Sequence, residues 1–116
     1  MLETIEKALR GVMPLVFYGS ADDVGNAALW NYIVFFRERI SQSQNKTGFV
    51  DYYTVAIVHE DWIPNDAIED VISAMEALPG VRLASQDVDV NYTRKPGTNA
   101  VVEIATLSFS HSRKRV

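Results

Sequence analysis

The stretch that most constrains this chain runs from Phe49 to Leu78. It reads as a strand, FVDYYTVAIVHE, a short connection, DWIPN, and a helix, DAIEDVISAMEAL. In the strand, Phe49, Tyr53, Val55 and Ile57 alternate with Val50, Tyr52, Ala56 and Val58, so both faces are largely apolar. Such a strand belongs inside a sheet, covered on both faces and paired on both edges. In the helix, Ile68, Val71, Ile72, Met75 and Leu78 form one apolar stripe, with Asp66, Glu69, Asp70, Ser73 and Glu76 opposite. Asp66 and Glu69 make a capping-box pattern, with Asn65 as the other candidate cap. Leu78-Pro79-Gly80 ends the helix, since Pro cannot continue it and Gly tolerates the left-handed conformation common just beyond. The expectation is a helix lying across a sheet whose middle is the Phe49 strand.

A chain of 116 residues, 47% of them hydrophobic, is long enough for a single domain over 1–116 with a core of its own. The absence of cysteine excludes disulfides and thiolate metal sites, and leaves no sign of a secreted protein. The amino-terminal region has no long apolar run with a basic flank, which argues against a signal peptide, and no stretch approaches a membrane span. A net charge of −4 argues against generic nucleic-acid binding. Residues 111–116 form a basic tail, and without Arg113, Lys114 and Arg115 the net charge falls from −4 to −7. One reading of this split is simple solvation; the other is complementarity between copies, the tail of one meeting an acidic surface elsewhere.

Taken in order, Leu2, Ile5, Leu9 and Val12 recur at helical spacing and predict a short amphipathic helix stopped by Gly11 and Pro14. Leu15 to Tyr18 is a short strand candidate, and GSADDVGNA a loop in which Asp22 and Asp23 read as solvated turn residues. Leu29 to Ile40 reads as a strand that begins apolar and ends charged at Arg37-Glu38-Arg39, so its end should project. The polar run SQSQNKTG then connects it to the Phe49 strand as a hairpin. Val81 to Tyr92 is read as one strand, turning through Thr93-Arg94-Lys95-Pro96-Gly97-Thr98-Asn99 into a final strand. In that final strand the apolar phase changes near Ile104-Ala105, which suggests either a bulge or a passage from two-sided to one-sided burial. The fold class expected is α+β: an antiparallel sheet built from two β-hairpins, with a central amphipathic helix and an amino-terminal helix packed on it.

Catalytic constellations are sparse. His59 and Asp61 are the acid/base pair that strand geometry allows, because neighbours such as His59 and Glu60 point to opposite faces. Asp87-Val88-Asp89-Val90-Asn91 begins like a calcium loop, but Tyr92 stands where glycine is needed and Thr98 where the ligating Glu belongs. No cofactor and no metal site is expected, and no enzyme activity.

The amino-terminal helix, the aromatic strand Asn31-Tyr32-Ile33-Val34-Phe35, the strand Tyr53-Thr54-Val55-Ala56-Ile57 feeding an amphipathic helix, and the closing Ala105-Thr106-Leu107-Ser108-Phe109-Ser110 together resemble the tail terminator, or tail completion, proteins of long-tailed bacteriophages. The likeness is one of pattern and covers Leu29 to Phe109. It implies a structural virion protein, made in the host cytoplasm and placed in the neck region of the tail. Its copies would form a ring, commonly six-fold, that ends polymerisation of the tail tube and offers a joining surface to the head. The implied partners are further copies of the chain, the tail tube protein and the head-tail connector or stopper. No membrane and no specific nucleic-acid recognition is implied, although DNA would thread the ring. From charge and expected projection, the contact residues are Arg37, Arg39, Lys46, Arg94, Lys95, Arg113, Lys114 and Arg115. Other neck or tail-tube subunits remain open. So does a small ligand-binding domain whose pocket Trp30, Tyr32 and Tyr53 would line, and an enzyme built on His59 and Asp61.

Overall fold

The computed structural model of the protein describes residues 1–20, 30–42 and 47–114, the last by its backbone alone. In chain order it contains α1 (Leu2–Arg10), β1 (Val16–Tyr18), β2 (Tyr32–Gln42), β3 (Gly48–Glu60), α2 (Asn65–Glu76), β4 (Val81–Leu83), β5 (Asp89–Arg94) and β6 (Val101–Lys114). The strands form a single six-stranded sheet in the order β1-β2-β3-β6-β4, with β5 also paired to β6. The two long hairpin strands β2 and β3 are antiparallel, and so are β3 and β6. The Phe49 strand thus lies inside the sheet, flanked by β2 and β6, as its two apolar faces require.

The expected architecture of two antiparallel hairpins around a central amphipathic helix is overturned. The protein is mostly β, 49% strand against 21% helix, in a mixed sheet with two short helices. The sheet is mixed because β1 runs parallel to β2, Val16 facing Ile33 and Tyr18 facing Phe35. A parallel neighbour needs a crossover of about a dozen residues, and residues 19–31 supply that length. No helix is central either. Packing joins α2 to α1 and β4, and α1 to β1, so the two helices divide the cover between them.

Three local expectations change as well. Val81 to Tyr92 is two strands, β4 and β5, because the polar run Ala84-Ser85-Gln86-Asp87 interrupts it; both strands lie on the same edge of β6. β6 runs in unbroken register with β3 from Val102 to Lys114, so it has no bulge near Ile104. Its change of phase reflects two-sided burial at one end, where Val102 and Val58 are buried on the face away from the helices. The irregularity sits in β2 instead, between Arg37 and Arg39. Finally, α2 begins after Pro64 without any side-chain cap, so neither Asp66 nor Asn65 fills that role.

The helix-covered face holds the core. Across the sheet, Ile33 lies beside Ile57 and Ala105, and Phe35 beside Val55 and Leu107. Tyr53 and Phe109 continue the row, and Ile5, Leu9, Val71 and Met75 close over it from the helices. The opposite face runs Val34, Ala56, Thr106 and then Phe36, Thr54, Ser108, with half-buried side chains except Thr54, which is buried, and no helix above them. Helices of 9 and 12 residues span about 14 and 18 Å, whereas strands of 11 to 14 residues span about 36 to 46 Å. The strands therefore outrun their cover, and the molecule measures 51 × 26 × 22 Å.

Candidate interaction surfaces

Beyond Tyr53 the sheet continues as an arm made of the ends of β2 and β6 and the beginning of β3, with β4 still paired to β6 at Ser110 and His111. Its register sets Asp51 beside His111 and Ile40, and Phe49 beside Arg113. Asp51 is 4% exposed, an acid on the core-side row of a strand. Its Oδ2 accepts a hydrogen bond from Arg113 Nε at 2.8 Å. The His111 Nδ1 stands 3.9 Å from the same oxygen. Among the described residues, Asp51 Oδ1 and His111 Nδ1 are both buried without a hydrogen-bond partner, as is Trp30 Nε1 at the other end of β6. Beside them lies an open cavity of about 500 Å³ lined by Met1, Leu2, Glu3, Arg37, Asp51, Tyr53 and Arg113. Burial, with the Asp51 charge nearby, holds the Tyr53 phenol above its ordinary pKa against the opposing pull of Arg37 and Arg113. The hydrogen bond to Asp51 pushes the Arg113 guanidinium above its ordinary value.

Four of the expected contact residues belong to this arm. Arg37 lies on the helix side of the sheet, against the cavity. Arg39, past the irregularity in β2, turns to the other side, where its guanidinium stacks 4.0 Å over the Tyr52 ring and pairs with Glu38 at 3.1 Å. Arg113 stacks 4.7 Å over Phe49 while holding Asp51. Lys114 ends β6, opposite Gly48. Lys46 and Arg115 lie outside the described residues, as do Asp22 and Asp23.

Arg94 and Lys95 sit at the other end of β6. Arg94 is exposed on β5 and donates to the Asn99 carbonyl at 3.2 Å. Lys95 does not project: its Nζ bonds Glu60 Oε1 at 2.8 Å, with both side chains only about 15% exposed, and lies 5.8 Å from the Trp30 ring centroid. The same Glu60 oxygen accepts the Trp30 backbone N–H at 3.0 Å. The Lys95 and Trp30 donors together hold the Glu60 carboxyl below the usual range.

The residues weighed for other functions do not converge. Trp30 and Tyr32 pack edge to face at 6.4 Å near Glu60, whereas Tyr53 belongs to the opposite face, so the three line no common pocket. The His59 ring donates from Nδ1 to its neighbour's carbonyl, Glu60 O, at 2.8 Å, and Asp61 turns the chain out of β3 at φ 67°. Among the described residues no three His, Asp or Glu side chains gather as a metal site, and no helix is long and apolar enough to cross a membrane. Asp51 was missed by the reading from sequence, although an acid in a buried row signals that a partner must meet it. No protein-family model and no curated protein matches this chain.

Proposed function

We propose that this chain is a structural subunit of a multi-copy assembly, and specifically the ring that caps the head-proximal end of a long bacteriophage tail. The observation that carries the reading is that one long strand, β6, presents unlike surfaces at its two ends. One is an arm bearing Arg37, Arg39 and Arg113; the other bears Trp62, Tyr92 and Val101, which are 71%, 65% and 39% exposed. Two different surfaces on one subunit permit head-to-tail contact, and such contacts close into a ring when the rotation fits. The ring would leave one face for the tube and another for the connector. The specific place in the tail rests on the sequence resemblance.

Electron microscopy of particles lacking the chain tests the reading: tails of abnormal length support it. Normal tails separated from heads would transfer the chain to a stopper or connector. Arg39→Glu, at a side chain 59% exposed, should reduce incorporation into particles while the protein stays folded.

A further inference from the structure

Sheet edges expose unpaired N–H and C=O groups, and proteins usually block them. Here β1 is blocked by Arg10, whose guanidinium donates to the carbonyls of Pro14 and Val16 at 3.2 Å each. β4 is only three residues long. β5 is different: it has six residues, all exposed, and pairs on one side with β6. It carries neither proline nor an interior lysine, and its middle, Val90-Asn91-Tyr92-Thr93, suits a strand.

The direction of its free groups follows from the ladder. Lys95 N–H donates to Ala100 O, so the alternation turns the backbone groups of Asp89, Asn91 and Thr93 toward β6. Those of Val90, Tyr92 and Arg94 face outward. Among the described residues no main-chain hydrogen bond reaches them from outside the sheet. Val90 is 43% and Tyr92 65% exposed, and in the ladder Tyr92 lies opposite Glu103, whose carboxylate raises its phenol pKa. The Glu103 carboxylate also accepts the Ile63 N–H at 2.9 Å, which brings exposed Trp62 to the same corner.

The charges around β5 run in order: Asp87 and Asp89 at its start, exposed Arg94 at its finish, Lys95 beyond it being held by Glu60. Two such strands laid antiparallel set acid against base at both ends, whereas a parallel arrangement sets like against like. We propose that β5 is a self-docking strand: two copies of this chain pair their β5 strands antiparallel about Asn91, joining their sheets edge to edge. In that register Val90 of each copy faces Tyr92 of the other, and these two residues exchange their outward N–H and C=O groups. An aromatic paired with a β-branched side chain is a favourable cross-strand neighbour. Any other register that keeps the two-fold symmetry loses one of these matches; centred on Tyr92, for example, it sets Val90 against Arg94. The inference concerns the free protein; because Tyr92 also lies on the surface that the tail reading gives to ring contact, the β5 pair would have to open before a ring closes. A chain that dimerises through β5 but is absent from tails would keep the one and lose the other.

The test uses the fact that the chain has no cysteine. The two Asn91 residues form a non-hydrogen-bonded pair with Cα atoms about 4.5 Å apart, within disulfide reach. Asn91→Cys should therefore form a reducible covalent dimer with oxidised glutathione at least about tenfold faster than Asp89→Cys, whose thiols lie four residues out of register. Light scattering should give a dimer for the unaltered protein. Tyr92→Pro, which removes an outward N–H and leaves the β5–β6 ladder intact, should give a monomer with unchanged circular dichroism. A monomer at every concentration, a dimer that survives Tyr92→Pro, or equal cross-linking of the two cysteine variants would overturn the proposal. If Tyr92→Pro fails to fold, the ratio of the two cross-linking rates decides alone.

Discussion

The two ends of β6 each hold an acid–base pair at 2.8 Å, Asp51 with Arg113 on the arm and Glu60 with Lys95 near the β5–β6 turn. The pairs differ in what surrounds them. Glu60 Oε1 accepts from both Lys95 and the Trp30 amide, and the Glu60 N–H in turn donates to Asn31 Oδ1 at 3.2 Å. The Glu60 carboxylate is therefore matched on the oxygen it uses, although the Nε1 of Trp30 beside it is buried without a hydrogen-bond partner among the described residues. Asp51 uses one oxygen on Arg113 and leaves the other buried without a donor, beside a cavity. A satisfied pair fastens loop to sheet; an unsatisfied one keeps bonding capacity in reserve. The contrast is thus between the two carboxylates: the oxygen Glu60 uses serves two donors, whereas Asp51 keeps an oxygen unmatched beside the cavity.

The largest effect should come from breaking what joins the two ends. Phe109→Ala, in the fully buried row between them, should cost about 3 to 5 kcal/mol in urea unfolding, with both ends lost in one transition. Separate transitions would show that the ends are independent units. Next, Glu60→Gln should lower the melting temperature more than Asp51→Asn, since one oxygen of Glu60 serves two donors. Asp51→Asn should stay within about 1 kcal/mol of the unaltered protein, and the reverse order would undo the comparison.

Acid sharpens the same contrast. Because Glu60 titrates below its unfolded value in the folded protein, its contribution is complete above the ordinary carboxylate range. It is lost as pH falls through the lowered folded value. Thermal scans from neutral pH into that acid range should show this loss in the unaltered protein and its absence in Glu60→Gln. Smallest of all, Trp62→Ser should change stability by less than about 0.5 kcal/mol, because Trp62 is 71% exposed. Its effect belongs to association, and a larger loss of stability would place Trp62 in the core's support.

Much of the local structure was legible in the residues. Alternation in Phe49 to Glu60 and the stripe from Ile68 to Met75 mark β3 and α2, and the change from apolar to charged residues marks where β2 leaves the core. Charge alone set Arg37, Arg39, Lys46, Arg94, Lys95, Arg113, Lys114 and Arg115 on one footing as expected contacts. It could not know that Glu60, thirty-five positions earlier, would face Lys95. Asp51 was hidden for the same reason, since its partner Arg113 is 62 positions away.

By itself, then, the sequence determined which segments extend and which coil, because periodicity and turn chemistry act over a few neighbours. Only the tertiary structure decided that β1 joins β2 in parallel, that β4 and β5 share one edge of β6, and that two helices divide the cover. Those choices depend on which distant surfaces bury one another best, and no local window of residues contains that competition.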